Sequence, residues 1–299
     1  MNQSQTRLAF VYILPAALVM AVITFYPLLY GVWMAFTDFS PIHIRHQNPN
    51  FVGLQNFIDI FRHAPYLGDL DFKWVLGFNL IWTIANLIFH VSLGVILALL
   101  LNIEGLKGTK IYRAALILPW AVPVYVTALV WRNMFDAQSG AINLLLKSWH
   151  LPGIEWMSSF PTAFMAVLLT NVWLGFPFMM MVASGGLAAI PKDYYEAASL
   201  DGASPWRQFW SITVPMLKPT MVPAITLGAV WTFNNFNVIY FVSKGDPDGL
   251  TEILVTQAYK LIDPMGLYGV AAAFSILIFF ILLAITGINM KLTKTLEET

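Results

Sequence analysis

The 299-residue chain is 58% hydrophobic and only 11% charged, with a mean hydropathy of +0.69. A water-soluble domain carries about 25% charged residues, so this chain cannot cover itself with a hydrated surface and belongs in a bilayer. Sixteen acidic and sixteen basic residues cancel, leaving no basic footprint for nucleic acid, and the lack of cysteine excludes disulfides, thiol chemistry and cysteine-ligated metals.

Crossing the hydrocarbon takes roughly 20 apolar residues as a helix, because lipid cannot satisfy backbone polar groups. Six stretches free of Asp, Glu, Lys and Arg are long enough: 8–37, 74–103, 114–131, 156–191, 219–243 and 264–290. The first has the position of a signal peptide, but its apolar run continues through Tyr30, Trp33 and Phe36 without a small-residue cleavage site, so a retained helix is expected. After it come His43 and His46, read as solvated loop imidazoles rather than metal ligands, and the run Phe51-Val-Gly-Leu-Gln-Asn-Phe57. The loop 104–113 carries Lys107, Lys110 and Arg113 against Glu104, and the tail opens with Lys291 and Lys294. The tendency of basic loops to stay inside places both in the cytoplasm, together with Arg7, Lys192, Arg207 and Lys218. An even number of spans then puts both termini inside, with 38–73, 132–155 and 244–263 outside. The expected fold is all-α, a polytopic membrane protein of six transmembrane helices. Its divisions are 1–72, a first helix and external loop; 73–290, a transmembrane domain containing the loop 192–218; and 291–299, a cytoplasmic tail.

The loop 192–218 has the densest local signals. Pro191 can open a helix whose start Asp193 favours, Glu196-Ala197-Ala198 is strongly helix-forming, and Gly202 can close it in a left-handed conformation. Ser204 before Pro205 reads as an N-cap and first residue of a second helix, which is expected to run through Trp206, Phe209 and Trp210 and stop before Pro215. Such a bent pair can dock in a partner's cleft, or lie on the headgroups with its tryptophans as anchors.

At membrane depth the chain offers amides and aromatics instead of charges: Asn79, Asn86, Asn171, Asn234, Asn235 and Asn237, with Trp173, Phe178, Trp231, Phe233 and Phe236. Amides exchange hydrogen bonds with hydroxyls, and aromatic faces cover the apolar faces of sugar rings, which suits a neutral sugar better than ions, amino acids or phosphosugars. The competing use of Asn is bonding between helices, and that reading is preferred for Asn79 and Asn86. Pro177 and Pro223 free backbone carbonyls and can kink their spans.

Glu196-Ala197-Ala198, three residues, Gly202, nine residues, Ile212, one residue, then Val214-Pro215 resembles the signature of binding-protein-dependent ABC importer permeases, with Val214 where leucine is usual. The resemblance implies that Glu196, Ala197, Ala198, Asp201, Gly202, Ile212 and Pro215 form coupling helices seated in a separate ATP-binding subunit. Asn171-Val-Trp-Leu174-Gly175-Phe-Pro-Phe178 and Phe233-Asn234-Asn235-Phe236 are similar to segments of the maltose and maltodextrin permeases, and 51–57 is similar to a run after the first span of sugar permeases. Carried over by position, Asn171, Leu174, Gly175, Phe178, Gly228, Trp231, Thr232 and Asn235 become sugar contacts. Phe178 replaces a familiar tyrosine, Thr232 an asparagine and Gly228 a serine, so the particular sugar stays open. The family's usual partners would be a second homologous permease, two ATP-binding subunits and an external sugar-binding protein. This chain would bind no cofactor, with ATP and Mg held by the partners; Gly105 to Lys110 has the wrong spacing for a phosphate loop. The alternatives are an ion-coupled secondary sugar transporter, for which no span centre supplies a carboxylate or lysine, and a membrane enzyme built on Glu196 and Asp201.

Overall fold

The structure is a computed structural model describing residues 3–44, 48–68 and 71–297, without side-chain placement for 3–10 and 289–297. His46 lies outside the described residues, as do the side chains of Arg7, Lys291 and Lys294. In chain order the helices are α1 Gln3–Met20, α2 Tyr26–Met34, α3 Gln55–Arg62, α4 Phe72–Leu101, α5 Thr109–Ala121, α6 Val124–Met134 and α7 Ala141–Ser148. They continue with α8 Phe160–Ala188, α9 Asp193–Leu200, α10 Pro205–Gln208, α11 Val214–Phe233, α12 Phe236–Val238, α13 Leu254–Ile262 and α14 Tyr268–Glu297. Among the described residues there is no strand, only an isolated bridge between Thr37 and Phe51.

Among the described residues, four helical stretches are long and apolar enough to cross a membrane: Val11–Met34, Phe72–Leu101, Phe160–Ala188 and Tyr268–Ile288. The most apolar window of the first buries nothing against protein, so lipid is the medium that suits it. The other two expected stretches are also helical, but not straight. The third bends by 92° between α5 and α6. Its hinge is Val122, extended at φ −86° and ψ 137°, because the ring of the next residue, Pro123, disfavours the helical conformation in the residue before it. The fifth breaks at Asn234-Asn235 (φ −102°, ψ 18°; φ −77°, ψ 74°), between α11 and α12. By contrast, Pro177 and Pro223 lie inside α8 and α11, and neither ends its helix.

The chain forms two compact units. In the first, Met1–Phe72 with Gln257–Ile281, the run 51–57 acquires a physical role. Asn56 Nδ2 donates to the carbonyls of Ala35 and Thr37, both at 2.9 Å, capping the C-terminal end of the α2 span, and Val52 N donates to Phe36 O at 2.8 Å. Gly269 lies so close to Thr37 O that a Cβ would collide with it.

In the second unit, Lys73–Thr256 with Leu282–Thr299, α4 and α8 contribute to two apolar cores and α11 to one of them. One joins Trp82, Ala166, Val167, Leu174, Val238 and Ile239; the other joins Ala98, Met179, Met180, Leu187, Leu217 and Met221. Small residues let the helices touch: a Cβ on Gly94 would lie 2.6 Å from Met179 Cβ, and one on Gly186 would lie 2.7 Å from Leu217 Cδ2.

Candidate functional site

Where α11 ends, the carbonyls of its last turn lose their helical partners, a severe cost at membrane depth. Side chains of α4 take them up. Trp82 Nε1 donates to Thr232 O at 3.0 Å, and Asn79 Nδ2 donates to Phe233 O at 3.1 Å. Asn79 Oδ1 in turn accepts from Leu254 N at 2.9 Å. The broken helix is thus a satisfied structure, as expected where irregular backbone lines a cavity.

Beside the break runs a chain of amides. Asn235 Nδ2 donates to Asn171 Oδ1 at 2.7 Å, Asn171 Nδ2 to Asn86 Oδ1 at 2.8 Å, and Asn86 Nδ2 to Trp82 O at 2.8 Å. Asn79 and Asn86 therefore spend their amides on bonds within the protein, as their sequence reading prefers. Asn171 does so too and is only 2% exposed, so it holds Asn235 in place more than it faces open space.

These elements enclose one cavity of about 430 Å³. All eight residues marked by resemblance line it: Asn171, Leu174, Gly175 and Phe178 from α8, Gly228, Trp231 and Thr232 from α11, and Asn235 at the break. Trp231 stacks obliquely on Phe178 (centroids 5.3 Å), which meets Trp120 at 6.2 Å, giving an aromatic wall. Among the described residues, no Asp, Glu, Lys or Arg lines it. Sequence reasoning missed His90, Trp120 and Met179, which also line the cavity. Their signals were weak: His90 is a polar residue in an otherwise uncharged stretch, and Trp120 precedes a bend that only the Val122-Pro123 pair announces.

The loop 192–218 folds largely as its sequence directs. Lys192 is the N-cap of α9, so Pro191 sits one residue before the cap instead of inside the helix. Gly202 adopts φ +75°; its N–H donates to Ser199 O at 3.1 Å, and Ala203 N donates to Ala198 O at 2.9 Å, the double closure of a left-handed glycine cap. Ser204 Oγ accepts from Arg207 N at 3.3 Å, capping α10 with Pro205 in its first turn. The second helix does not stop before Pro215. A π-helical turn, Phe209–Thr213, carries it directly into α11. Val214 N donates to Phe209 O, five residues back, and this widened register accommodates the proline that follows.

The signature residues divide by environment. Glu196, Ala197, Asp201, Gly202 and Pro215 are exposed and Ala198 is half-buried, while Ile212 packs with Tyr195 against the core of Leu187, Ile190 and Leu217. Leu200, beside the turn, is 90% exposed. Tyr195 Oη and Thr213 Oγ1 lie 2.9 Å apart, and Gln208 Nε2 donates to Ser199 Oγ at 2.9 Å, fixing the two short helices to each other. Lys192 pairs with Glu104, raising the ammonium's pKa and lowering the carboxyl's; both side chains are exposed, so the pair adds little stability.

Bent and broken apolar helices around an uncharged cavity, with a capped helical turn projecting from two of them, define a polytopic membrane permease. The family model for the binding-protein-dependent transport system inner membrane component matches residues 53–292, and the chain belongs to that family. It is 34% identical over 295 residues to the galactooligosaccharides transport system permease protein GanP of Bacillus subtilis, covering 95% of this chain and 69% of the relative. A probable ABC transporter permease protein of Brucella suis is 34% identical over 294 residues, 98% of either chain. The maltose/maltodextrin permease protein MalF of Escherichia coli is 35% identical over 259 residues, 81% of this chain and 49% of the relative. Among solved structures, a bacterial ABC transporter involved in import of the acidic polysaccharide alginate superposes with a TM-score of 0.82 at 20% identity, over 98% of this chain and 96% of that one. That likeness shows the fold of a type I ABC importer permease. Nothing in these matches supports the ion-coupled alternative.

Proposed function

We propose that this chain is one of two permease subunits forming the membrane path of an ATP-driven importer for a neutral oligosaccharide. The observation that carries the reading is the convergence of two separate sequence segments, 171–178 and 228–235, on one uncharged cavity with an aromatic wall and amide donors. Its volume falls within the range of small-molecule sites, roughly 300–1,000 Å³. Aromatic faces suit sugar rings, and the absence of lining charge disfavours ionic cargo. The sugars in the relatives' names, galactooligosaccharides and maltose/maltodextrin, belong to the same class.

In this reading, 1–72 is a first helix and external loop, 73–290 the permease domain and 291–299 a cytoplasmic tail, with both termini inside. The exposed face of 196–202 docks on a separate ATP-binding subunit, two of which hold ATP and Mg, while an external binding protein delivers the sugar to this chain and a homologous second permease. Catalysis of ATP hydrolysis then lies wholly on the partners. The test is ATPase stimulation of the purified complex by binding protein loaded with maltodextrins or galactooligosaccharides. Stimulation and uptake with such a sugar are expected; uptake that persists without the ATP-binding subunit would refute the reading.

A further inference from the structure

His90 stands in the middle of α4 and is 4% exposed. A histidine at this depth is costly unless its ring nitrogens have partners. One partner is clear: Nε2 lies 2.9 Å from the carbonyl oxygen of Asn171. A carbonyl only accepts, so Nε2 carries the proton and donates, and in the neutral ring Nδ1 is then an acceptor. Nδ1 makes no hydrogen bond within the described residues, yet it is not one of the polar atoms sealed from open space. The open space that His90 lines is the aromatic-walled cavity.

The surroundings are arranged for this ring. Asn171, its neighbour on α8, has both ends of its amide occupied by Asn86 and Asn235 and can offer a ligand little. Gly175 sits one helical turn further on, and a Cβ there would run into the imidazole. The glycine that the resemblance marks as a sugar contact therefore makes room for His90.

We propose that His90 is a specificity-determining contact for the transported sugar: Nδ1 accepts a hydrogen bond from one sugar hydroxyl, while Nε2–H ties the ring to α8. The proposal rests on the oligosaccharide reading above. An acceptor placed this way selects a hydroxyl and rejects an analogue lacking it, since the desolvated nitrogen would then go unpaired.

The test is uptake by the complete transporter in liposomes, supplied with its binding protein and with maltotriose, galactotriose and single-deoxy versions of whichever is carried. The wild type should discriminate against one deoxy analogue by about tenfold in kcat/KM, the effect of one hydrogen bond. His90→Leu should lose about the same factor on the parent sugar and transport the two alike, because the acceptor is gone. His90→Gln, which keeps an acceptor, should recover part of the discrimination, and Gly175→Ala should behave like His90→Leu. A purely structural role would slow all sugars by one common factor with the discrimination intact, and that result overturns the proposal. Should His90→Leu fail to assemble, the comparison is read on Gly175→Ala and His90→Gln, where unchanged discrimination in both is equally fatal. A wild-type complex that moves neither sugar would instead bring down the oligosaccharide reading itself.

Discussion

Replacing Asn171 by Leu tests whether the amide chain is a coupled structural unit. The swap keeps the branched shape and the number of side-chain heavy atoms, so no cavity opens, but it orphans two groups: Asn86 Oδ1, on a fully buried residue, and Asn235 Nδ2, on a half-buried one. A buried polar atom without a partner costs about 1–3 kcal/mol, whereas Asn235 can turn to cavity water at smaller cost. Measured bonds between membrane helices average nearer to about 0.6 kcal/mol, because many of their groups find other partners. Asn86 is at 0% exposure with its Nδ2 already committed to Trp82 O, so its oxygen has no such replacement. The expected loss for Asn171→Leu is therefore about 2 kcal/mol. Asn86→Leu should cost a similar amount, since it strands Asn171 Nδ2. The double replacement removes both ends of the bond and should cost no more than either single one, rather than about 4 kcal/mol, because no buried amide between them is left unpaired. Thermal unfolding of the purified complex in nanodiscs reads this as a midpoint lowered by roughly 4–8 °C in each single variant and no further in the double. Additive losses, or single losses within error of zero, would refute the coupling.

Trp231→Ala and Asn235→Ala should each reduce sugar uptake severalfold while the complex still assembles, since Trp231 is 50% exposed at the cavity and Asn235 ends the amide chain; unchanged uptake in both would remove the pocket. Gly202→Val places a β-branched residue at φ +75°, with no heavy atom within 4 Å to clash, so its cost of about 1–2 kcal/mol is pure backbone strain. It should leave ATP hydrolysis in place and lower the sugar moved per ATP, measured on one reconstituted sample. Ser204→Ala removes the cap on Arg207 N and should speed hydrogen exchange across Pro205–Gln208, by the equivalent of about 0.5–2 kcal/mol. For the Lys192–Glu104 pair, the carboxyl's pKa is lowered by the ammonium, so any contribution is present at neutral pH and lost as the pH falls through that lowered value. Glu104→Gln should leave the thermal midpoint at pH 7 unchanged, because both partners are exposed.

The readable parts of this chain were those governed by local rules. Charge-free length marked the six apolar stretches, Gly202 and Ser204-Pro205 announced the turn and cap that the structure contains, and the amides stood out because they are costly in lipid. The parts that depend on partners distant in sequence were not readable. The break at Asn234-Asn235 is supported by Trp82 and Asn79, some 150 residues earlier, which donate to the carbonyls of the last turn before it. His90 carries no formal charge in its neutral form and has no motif around it, so neither charge nor pattern marks it within its span. Pro215 suggested an end to α10; the π turn that bypasses it is a backbone adjustment that leaves no mark in residue type.

That bypass has a mechanical consequence. Helical residues follow one another without interruption from Pro205 to Phe233, and at 1.5 Å per residue the 25 steps from Trp206 to Trp231 span about 38 Å. The turn at 202–205 and the Trp231 ring at the cavity thus lie on one continuous helical stretch, so in the proposed importer a displacement at its foot would be carried toward its tip. The first break in helical backbone along it comes only at Asn234, at the edge of the cavity.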